Sequence, residues 1–384
     1  MQKIPFNKPY KSKLAEEFLL DVLSEERYYG CGKYTNLATN LIGEISKAKN
    51  VLLTDSCSSA LDIIALYLRK LFPNIDASVV LPSYTFSSTA NAFAKVGFKL
   101  KFCDVSGPDM TAGIEQVSKV IDSTTIAVVA VHYGLNIAPV DHLRHLCDEL
   151  NLYLVEDAAQ LFGATYNEVK IGNFGHFAAF SFHETKNLHC GLGGALIFQD
   201  SSILDTLTAI WERGTNRQQL LRGVADKYTW TEIGGSYYPT ELQAALLYSQ
   251  LIEFEQNNNM RANIYNSYIR AFEKYKPPNV LYVSKISKNV RSNYHSIYIL
   301  TDTFDQTNEV LRSKGISGYM GYVPLHSSPI GIKLSPETVG CLPMTESLAP
   351  KVMRLPFYVG LKDSEIDLIV RTLSEVAQFK NVSY

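Results

Sequence analysis

Two side chains carry the clearest chemical signal in this chain. Glu156-Asp157-Ala158-Ala159-Gln160 ends an apolar strand, Leu152 to Val155, and a second strand runs into Phe180-Ser181-Phe182-His183-Glu184-Thr185-Lys186-Asn187. An acid followed by a lysine at such strand ends suggests pyridoxal phosphate chemistry. That cofactor's pyridinium nitrogen needs a carboxylate to stay protonated and act as electron sink, and its aldehyde needs one amine for a Schiff base. Asp157 and Lys186 supply both groups. Each alone also has an ordinary explanation, because an Asp after a buried strand often caps a helix and most lysines are solvated charges. Coincidence is harder to accept for the pair, since Lys186 sits in a Ser/Thr/His-rich turn after an aromatic strand rather than on a charged helix face.

The elements that must position these groups read as short apolar strands alternating with amphipathic helices, the pattern of a mostly parallel sheet with helices on both faces. Strands are expected at Val51–Thr54, Val79–Pro82, Leu100–Asp104, Ile126–Val131, Leu152–Glu156, Phe177–Ser181 and Ala195–Phe198. Leu61, Ile64, Ala65 and Leu68, and again Leu143, Leu146, Cys147 and Leu150, recur at helical spacing. A polar loop from about Trp211 to Trp230 precedes a long helical segment opening at Thr240. Beyond it, a strand at His295–Leu300, a helix at Asp305–Lys314 and the stripe Ile366, Ile369, Val370 and Leu373 predict a smaller α/β domain. The expected division is residues 1–250, a large cofactor-binding domain with the N-terminal segment, and residues 251–384, a small C-terminal domain.

A chain of 384 residues with a formal net charge of -2 has no electrostatic reason to bind nucleic acid or a membrane surface. No run of about 18 apolar residues would span a bilayer. The start, Met1 to Phe6, lacks a hydrophobic signal core, and the cysteines at 31, 57, 103, 147, 190 and 341 have neither paired nor metal-ligand spacing. Reduced thiols, a cytoplasmic location and no metal are expected.

The Asp157 and Lys186 motifs resemble those of the StrS/DegT-type sugar aminotransferases. The likeness runs nearly end to end, through Ile4-Pro5-Phe6-Asn7-Lys8-Pro9, Ser56-Cys57-Ser58-Ser59-Ala60-Leu61, Pro82-Ser83-Tyr84-Thr85-Phe86, Tyr322-Val323-Pro324-Leu325-His326 and Leu355-Pro356. It implies an α/β, aspartate aminotransferase-like fold (fold type I), pyridoxal phosphate as cofactor with pyridoxamine phosphate as its intermediate, and a homodimer with shared active sites. Gly214-Thr215-Asn216-Arg217, Asp226 to Trp230 and Phe182 to Asn187 look most like the enzymes that aminate C4 of dTDP-4-keto-6-deoxyglucose. L-Glutamate would be the amino donor, and the product would serve surface polysaccharide synthesis of the O-antigen, lipopolysaccharide kind.

Ser56 to Ser59 follow a strand and open a helix, where free N–H groups and the dipole favour a phosphate; an ordinary serine N-cap is the alternative. Ser56, Cys57 and Ser58 are therefore expected at the cofactor phosphate, although relatives usually carry Gly-Thr where this chain has Cys57-Ser58. By resemblance, Phe86 stacks on the pyridine ring, Asp157 meets its nitrogen, Gln160 turns its amide to the phenolic oxygen and Ser181 binds phosphate. Lys186 forms the Schiff base and then moves the proton. Ser236 stands where relatives have an asparagine reaching the partner's phosphate, and Tyr238 replaces the arginine of that motif. Leu192 replaces a glutamate common in relatives.

A nucleotide diphosphate needs cations. Arg213, Arg217, Arg222 and Lys227 lie in the polar loop, though a solvated loop charge explains any one of them. Tyr322 and His326 resemble a family element near the sugar or the subunit interface, and a packing role for His326 stays open. Amination at C3 is an alternative reaction. A dehydratase of the same fold is another, but such relatives replace the lysine by histidine. A silent regulator would not need Asp157, Gln160, Ser181 and Lys186 together.

Overall fold

A computed structural model describes residues 3–376. Apolar runs without polar alternation make strands that must be buried on both faces, and a helix-covered parallel sheet meets that demand. Seven strands lie in the order Asn50–Thr54, Gly194–Phe198, Phe177–Ser181, Tyr153–Asp157, Thr125–Val131, Ser78–Pro82, Lys99–Cys103. Only Gly194–Phe198 runs against its neighbours; the remaining pairs are parallel. The carboxyl ends of Asn50–Thr54, Tyr153–Asp157 and Phe177–Ser181 therefore open along one edge, where ligands of such sheets bind.

Helix Cys57–Leu71 buries Leu61, Ile64, Ala65 and Leu68 on one face of the sheet, together with Phe93 and Leu207. On the other face lie Lys33–Ser46 and Glu241–Ile252, contributing Ala38, Ile42, Leu247 and Leu251. Val140–Glu149 buries Leu143 and Cys147, while Leu150, expected on the same stripe, follows the helix end and is exposed. Thr240 opens its helix through a capping box: Gln243 N–H donates to the Thr240 hydroxyl (3.3 Å) and Thr240 N–H to Gln243 Oε1 (2.9 Å).

Glu253 separates that helix from Phe254–Tyr275. Beyond it a four-stranded antiparallel sheet runs Tyr282–Val283, Tyr298–Leu300, Val352–Arg354, Tyr319–Met320. Helix Asp363–Glu375 packs Ile366, Ile369, Val370 and Leu373 against this layer. The strand expected over His295–Leu300 pairs only from Tyr298, because Arg261 and Asn187 bind the preceding segment instead. Ile4, grouped by sequence with the first 250 residues, packs in the C-terminal core: Ile4 N–H donates to Gly315 O (2.9 Å) and Ser317 N–H to Ile4 O (3.1 Å). Among the described residues no helix is long and apolar enough to cross a membrane.

One glycine sets how closely helix Cys57–Leu71 approaches the sheet. A Cβ on Gly194 would drive into the backbone joining Ser56 and Cys57. Gly194→Ala should cost about 1–3 kcal/mol of stability by overpacking, read as a lower midpoint of thermal unfolding and weaker cofactor retention. An unchanged midpoint would show that the helix end can back away freely.

Candidate active site

Asp157 is the last residue of its strand and only 6 % exposed. Thr89 Oγ1 donates to its Oδ2 (2.6 Å) and Ala159 N–H to its Oδ1 (3.2 Å), so the carboxylate is oriented while still able to accept a further hydrogen bond. Thr89 is held in turn by Thr85 (2.9 Å). Lys186 follows a turn closed by its own N–H to His183 O (2.8 Å). The residue is half-buried, but its amine end is enclosed, and burial lowers its pKa from the ordinary lysine value. Cys57 and Asp157 oppose that shift, and Arg354 reinforces it. The cavity beside Lys186 is also lined by Gln160, Ser181, Asn187, Asn293 and His295.

At the other end of the site two helix N-termini meet. Ser56 caps Cys57–Leu71 by accepting Ser59 N–H (3.1 Å), and Ser58 Oγ donates to Ser88 Oγ (2.7 Å) in the first turn of Ser87–Lys95. The ordinary N-cap explanation thus holds for the Ser56 hydroxyl. The N–H groups of Cys57 and Ser58 precede any intrahelical acceptor and stay available to an anion. Burial, aided by Asp157 and opposed by Lys186, raises the Cys57 pKa well above the usual thiol value. Cys57 therefore adds a neutral group rather than a thiolate.

Gln160 is fixed at both ends: Gly134 N–H donates to its Oε1 (2.6 Å) and its Nε2 donates to Tyr322 OH (2.8 Å). Tyr322 packs with Tyr84, Tyr133 and Phe86. The Phe86 ring lies 6.1 Å from that of Tyr322 and is 58 % exposed.

Sequence reasoning missed Thr89, Asn293, His295 and Arg354, which come from separate elements and form no local motif. Of these only His295 had a visible signal, a lone histidine before an apolar strand. Its Nδ1 meets Asn187 Oδ1 (2.9 Å), while Asn187 Nδ2 donates to Asn293 O (2.6 Å), which fixes the amide and makes Nδ1 the donor. Burial first, then the cations Lys186, Arg261 and Arg354, hold His295 well below the usual imidazole pKa, hence neutral.

Other expected residues stand apart from this cavity. Arg217 pairs with the fully buried Glu212 (3.0 Å), and Arg213 donates to Tyr29 OH (3.0 Å), so within one chain both serve the Glu212 cluster rather than the Lys186 cavity. Arg222 pairs with Asp205. Ser236 is exposed and makes an isolated backbone bridge to Glu212, and Tyr237 O next to it accepts Asp55 N–H (2.8 Å). His326 is buried with both ring nitrogens engaged, by Ser83 (2.6 Å) and Glu346 (3.0 Å), which is a packing role.

The match to known proteins fits this geometry. The profile of the DegT/DnrJ/EryC1/StrS aminotransferases matches residues 11–374. The chain belongs to that family. Similar curated proteins include GDP-perosamine synthase of Vibrio cholerae, 25% identical over 94% of this chain and 96% of the relative. Another is the dTDP-4-dehydro-2,3,6-trideoxy-D-glucose 4-aminotransferase of Saccharopolyspora spinosa, 28% identical over 86% and 84% of the two chains. Among solved structures, S. venezuelae DesV is similar at a TM-score of 0.86 and 26% identity, covering 98% of this chain and 99% of its own.

As a sugar aminotransferase of the DegT/StrS family, the protein works with pyridoxal phosphate and its aminated form, pyridoxamine phosphate. The residues present fit that cofactor. Asp157 offers an oriented acceptor, Lys186 an enclosed amine with a lowered pKa, the Cys57–Leu71 helix N-terminus unclaimed donors, and Phe86 an open aromatic face.

Proposed function

We propose that the protein transfers an amino group from L-glutamate to C4 of dTDP-4-keto-6-deoxy-D-glucose, giving a dTDP-4-amino-4,6-dideoxyhexose and 2-oxoglutarate. The observation that carries this reading is the enclosed Lys186 amine in the cavity it shares with Gln160 and Ser181, within electrostatic reach of Asp157, at a position where dehydratases of the same fold have histidine. The motif likeness over Phe182–Asn187, Gly214–Arg217 and Asp226–Trp230 supports C4 and the thymidine nucleotide, and a similar protein is named as a dTDP-sugar 4-aminotransferase.

When bound, the cofactor supplies the electron sink and carries the amino group between donor and acceptor. Asp157 holds the proton on the ring nitrogen. Lys186 Nζ, with its lowered pKa, takes the proton from the substrate carbon and returns it across the cofactor. Gln160, braced by Gly134 and Tyr322, orients the ring, and the wall of Tyr84, Tyr133 and Tyr322 keeps water from that face. Ping-pong kinetics follow from one site serving both half-reactions.

Incubation with L-glutamate and dTDP-4-keto-6-deoxyglucose, followed by NMR of the sugar, should yield the 4-amino product. Turnover of the 3-keto isomer alone would overturn the regiochemistry, and loss of water without amination would point to the dehydratase.

The active unit in this reading is a homodimer with Ser236 facing the partner's cofactor phosphate. The exposure of Ser236 together with Tyr228, Trp230 and Ile233 supports it. Mixing inactive Lys186→Ala and Ser236→Trp chains should regain activity, because each heterodimer would hold one intact site. Verified heterodimers without activity would exclude a shared site.

A further inference from the structure

Two hydrogen-bond acceptors on the wall of the Lys186 cavity have no donor. Asn293 is buried, and its Nδ2 donates to Gln160 O (2.9 Å) and Phe162 O (3.2 Å), which fixes the amide and turns Oδ1 the other way. That oxygen is buried without a partner among the described residues. His295 spends its Nδ1–H on Asn187 Oδ1 (2.9 Å). Its Nε2, on the opposite edge of the neutral ring, is left with a lone pair and meets no donor among the described residues. An enclosed acceptor without a donor is costly, so the two together point to a donor supplied in the working protein.

The cavity that Asn293 and His295 share with Lys186 measures about 10 Å³, room for one small polar group. The other polar groups of its wall are engaged. Gln160 is held by Gly134 N–H and Tyr322 OH, Asn187 Nδ2 donates to Asn293 O (2.6 Å), and Ser181 Oγ accepts His183 N–H (3.4 Å). Lys186 Nζ makes no hydrogen bond among the described residues, and as an ammonium it carries three donors. The two acceptors are also held in place. Asn293 is tied to the backbone just beyond Asp157, Asn187 directly follows Lys186, and Arg261 donates to Tyr294 O (2.9 Å) and to His295 O.

We propose that His295 Nε2 and Asn293 Oδ1 form a seat that receives Lys186 Nζ as an ammonium, holding the lysine in place between taking the proton from the substrate carbon and returning it. This rests on the aminotransferase reading above. Both are positioning residues: the proton stays on Nζ, neither acceptor takes it, and their lone pairs set where the ammonium points. A seat of neutral acceptors also stabilises the ammonium without adding a negative charge that would make Nζ slow to give the proton back.

His295→Gln and His295→Asn separate the two edges of the ring. A glutamine amide reaches the place of Nε2, whereas an asparagine amide reaches that of Nδ1 and keeps only the bond to Asn187. The glutamate half-reaction is followed alone, by the absorbance change of the holoenzyme without any sugar. Its rate should fall about 10–100-fold in His295→Asn and His295→Phe, the scale of one hydrogen bond to a charged group, and His295→Gln should recover most of it. The half-saturating L-glutamate concentration should move less than about threefold, and the rate ratio between L-glutamate and its 2-deuterated form should rise. Cofactor-free protein gives a readout independent of turnover: acetic anhydride labelling of Lys186, followed across pH by mass spectrometry. Losing an acceptor disfavours the ammonium, so the pH of half-maximal labelling should fall by about one unit in His295→Asn, His295→Phe and Asn293→Leu and stay near wild type in His295→Gln. Cys57, Asp157 and Arg354, the other groups whose charge acts on Lys186, are untouched in all four variants. The same labelling profile in wild type and His295→Phe, or recovery by His295→Asn rather than His295→Gln, would overturn the proposal and leave the ring as a brace for Asn187 or a seat for a buried water. Wild-type protein that runs the glutamate half-reaction but aminates no keto sugar would refute the substrate reading while the labelling result still decides the seat.

Discussion

Lys186→Ala is expected to lose at least about 10⁴-fold in kcat, because in the proposed reaction one substitution removes both the amine that would hold the cofactor and the group that would move the proton. The fold should survive: the Lys186 side chain makes no hydrogen bond that the core depends on, and its turn is closed by backbone. Removing an enclosed amine whose pKa burial has lowered also relieves desolvation, so thermal stability without cofactor should hold or rise. Adding a small primary amine such as methylamine should restore part of the proton transfer. Wild-type turnover in the variant would place the chemistry on another residue.

Asp157→Asn follows with an expected loss on the order of 10²–10³-fold in kcat, the scale of removing one preorganised electrostatic partner. The amide keeps the size of the carboxylate and can still accept Thr89 Oγ1 and Ala159 N–H through its oxygen, so the strand end should stay folded. Lost is the negative charge that keeps the ring nitrogen protonated. Asp157→Glu would keep the charge but push it beyond the reach of Thr89, and should retain more activity than Asp157→Asn. Equal activity in wild type and Asp157→Asn would show that the side chain only caps the segment after its strand.

The large sheet was legible because its strands are apolar runs cut out by helices of clear periodicity, and the structure finds all seven within a residue or so of their expected bounds. Asp157 and Lys186 stood out in the sequence for a related reason: a charge at the end of a buried strand, or in the turn just after one, contrasts with its apolar neighbours. Thr89 was not, since a threonine among Ser87, Ser88 and Ala90 looks like helix filler until the fold sets it against a residue far along the chain. Arg354 escaped likewise, on a strand of three residues in a region with little periodicity. The polar loop misled in the opposite direction. Its arginines look solvated in sequence, yet Glu212, at the end of an apolar helix, is carried fully inside and needs their charge. His326 has the same lesson, as Ser83 and Glu346 reach it from distant segments and occupy both nitrogens.

The central claim is that Lys186, opposite Asp157, is the residue that holds the cofactor, and borohydride reduction of the holoenzyme tests it most directly. Reduction followed by proteolysis and mass spectrometry should find the cofactor fixed on the peptide containing Phe182-His183-Glu184-Thr185-Lys186-Asn187, at Lys186. Label on any other lysine, or reduced protein that gives up its cofactor on unfolding, would contradict it.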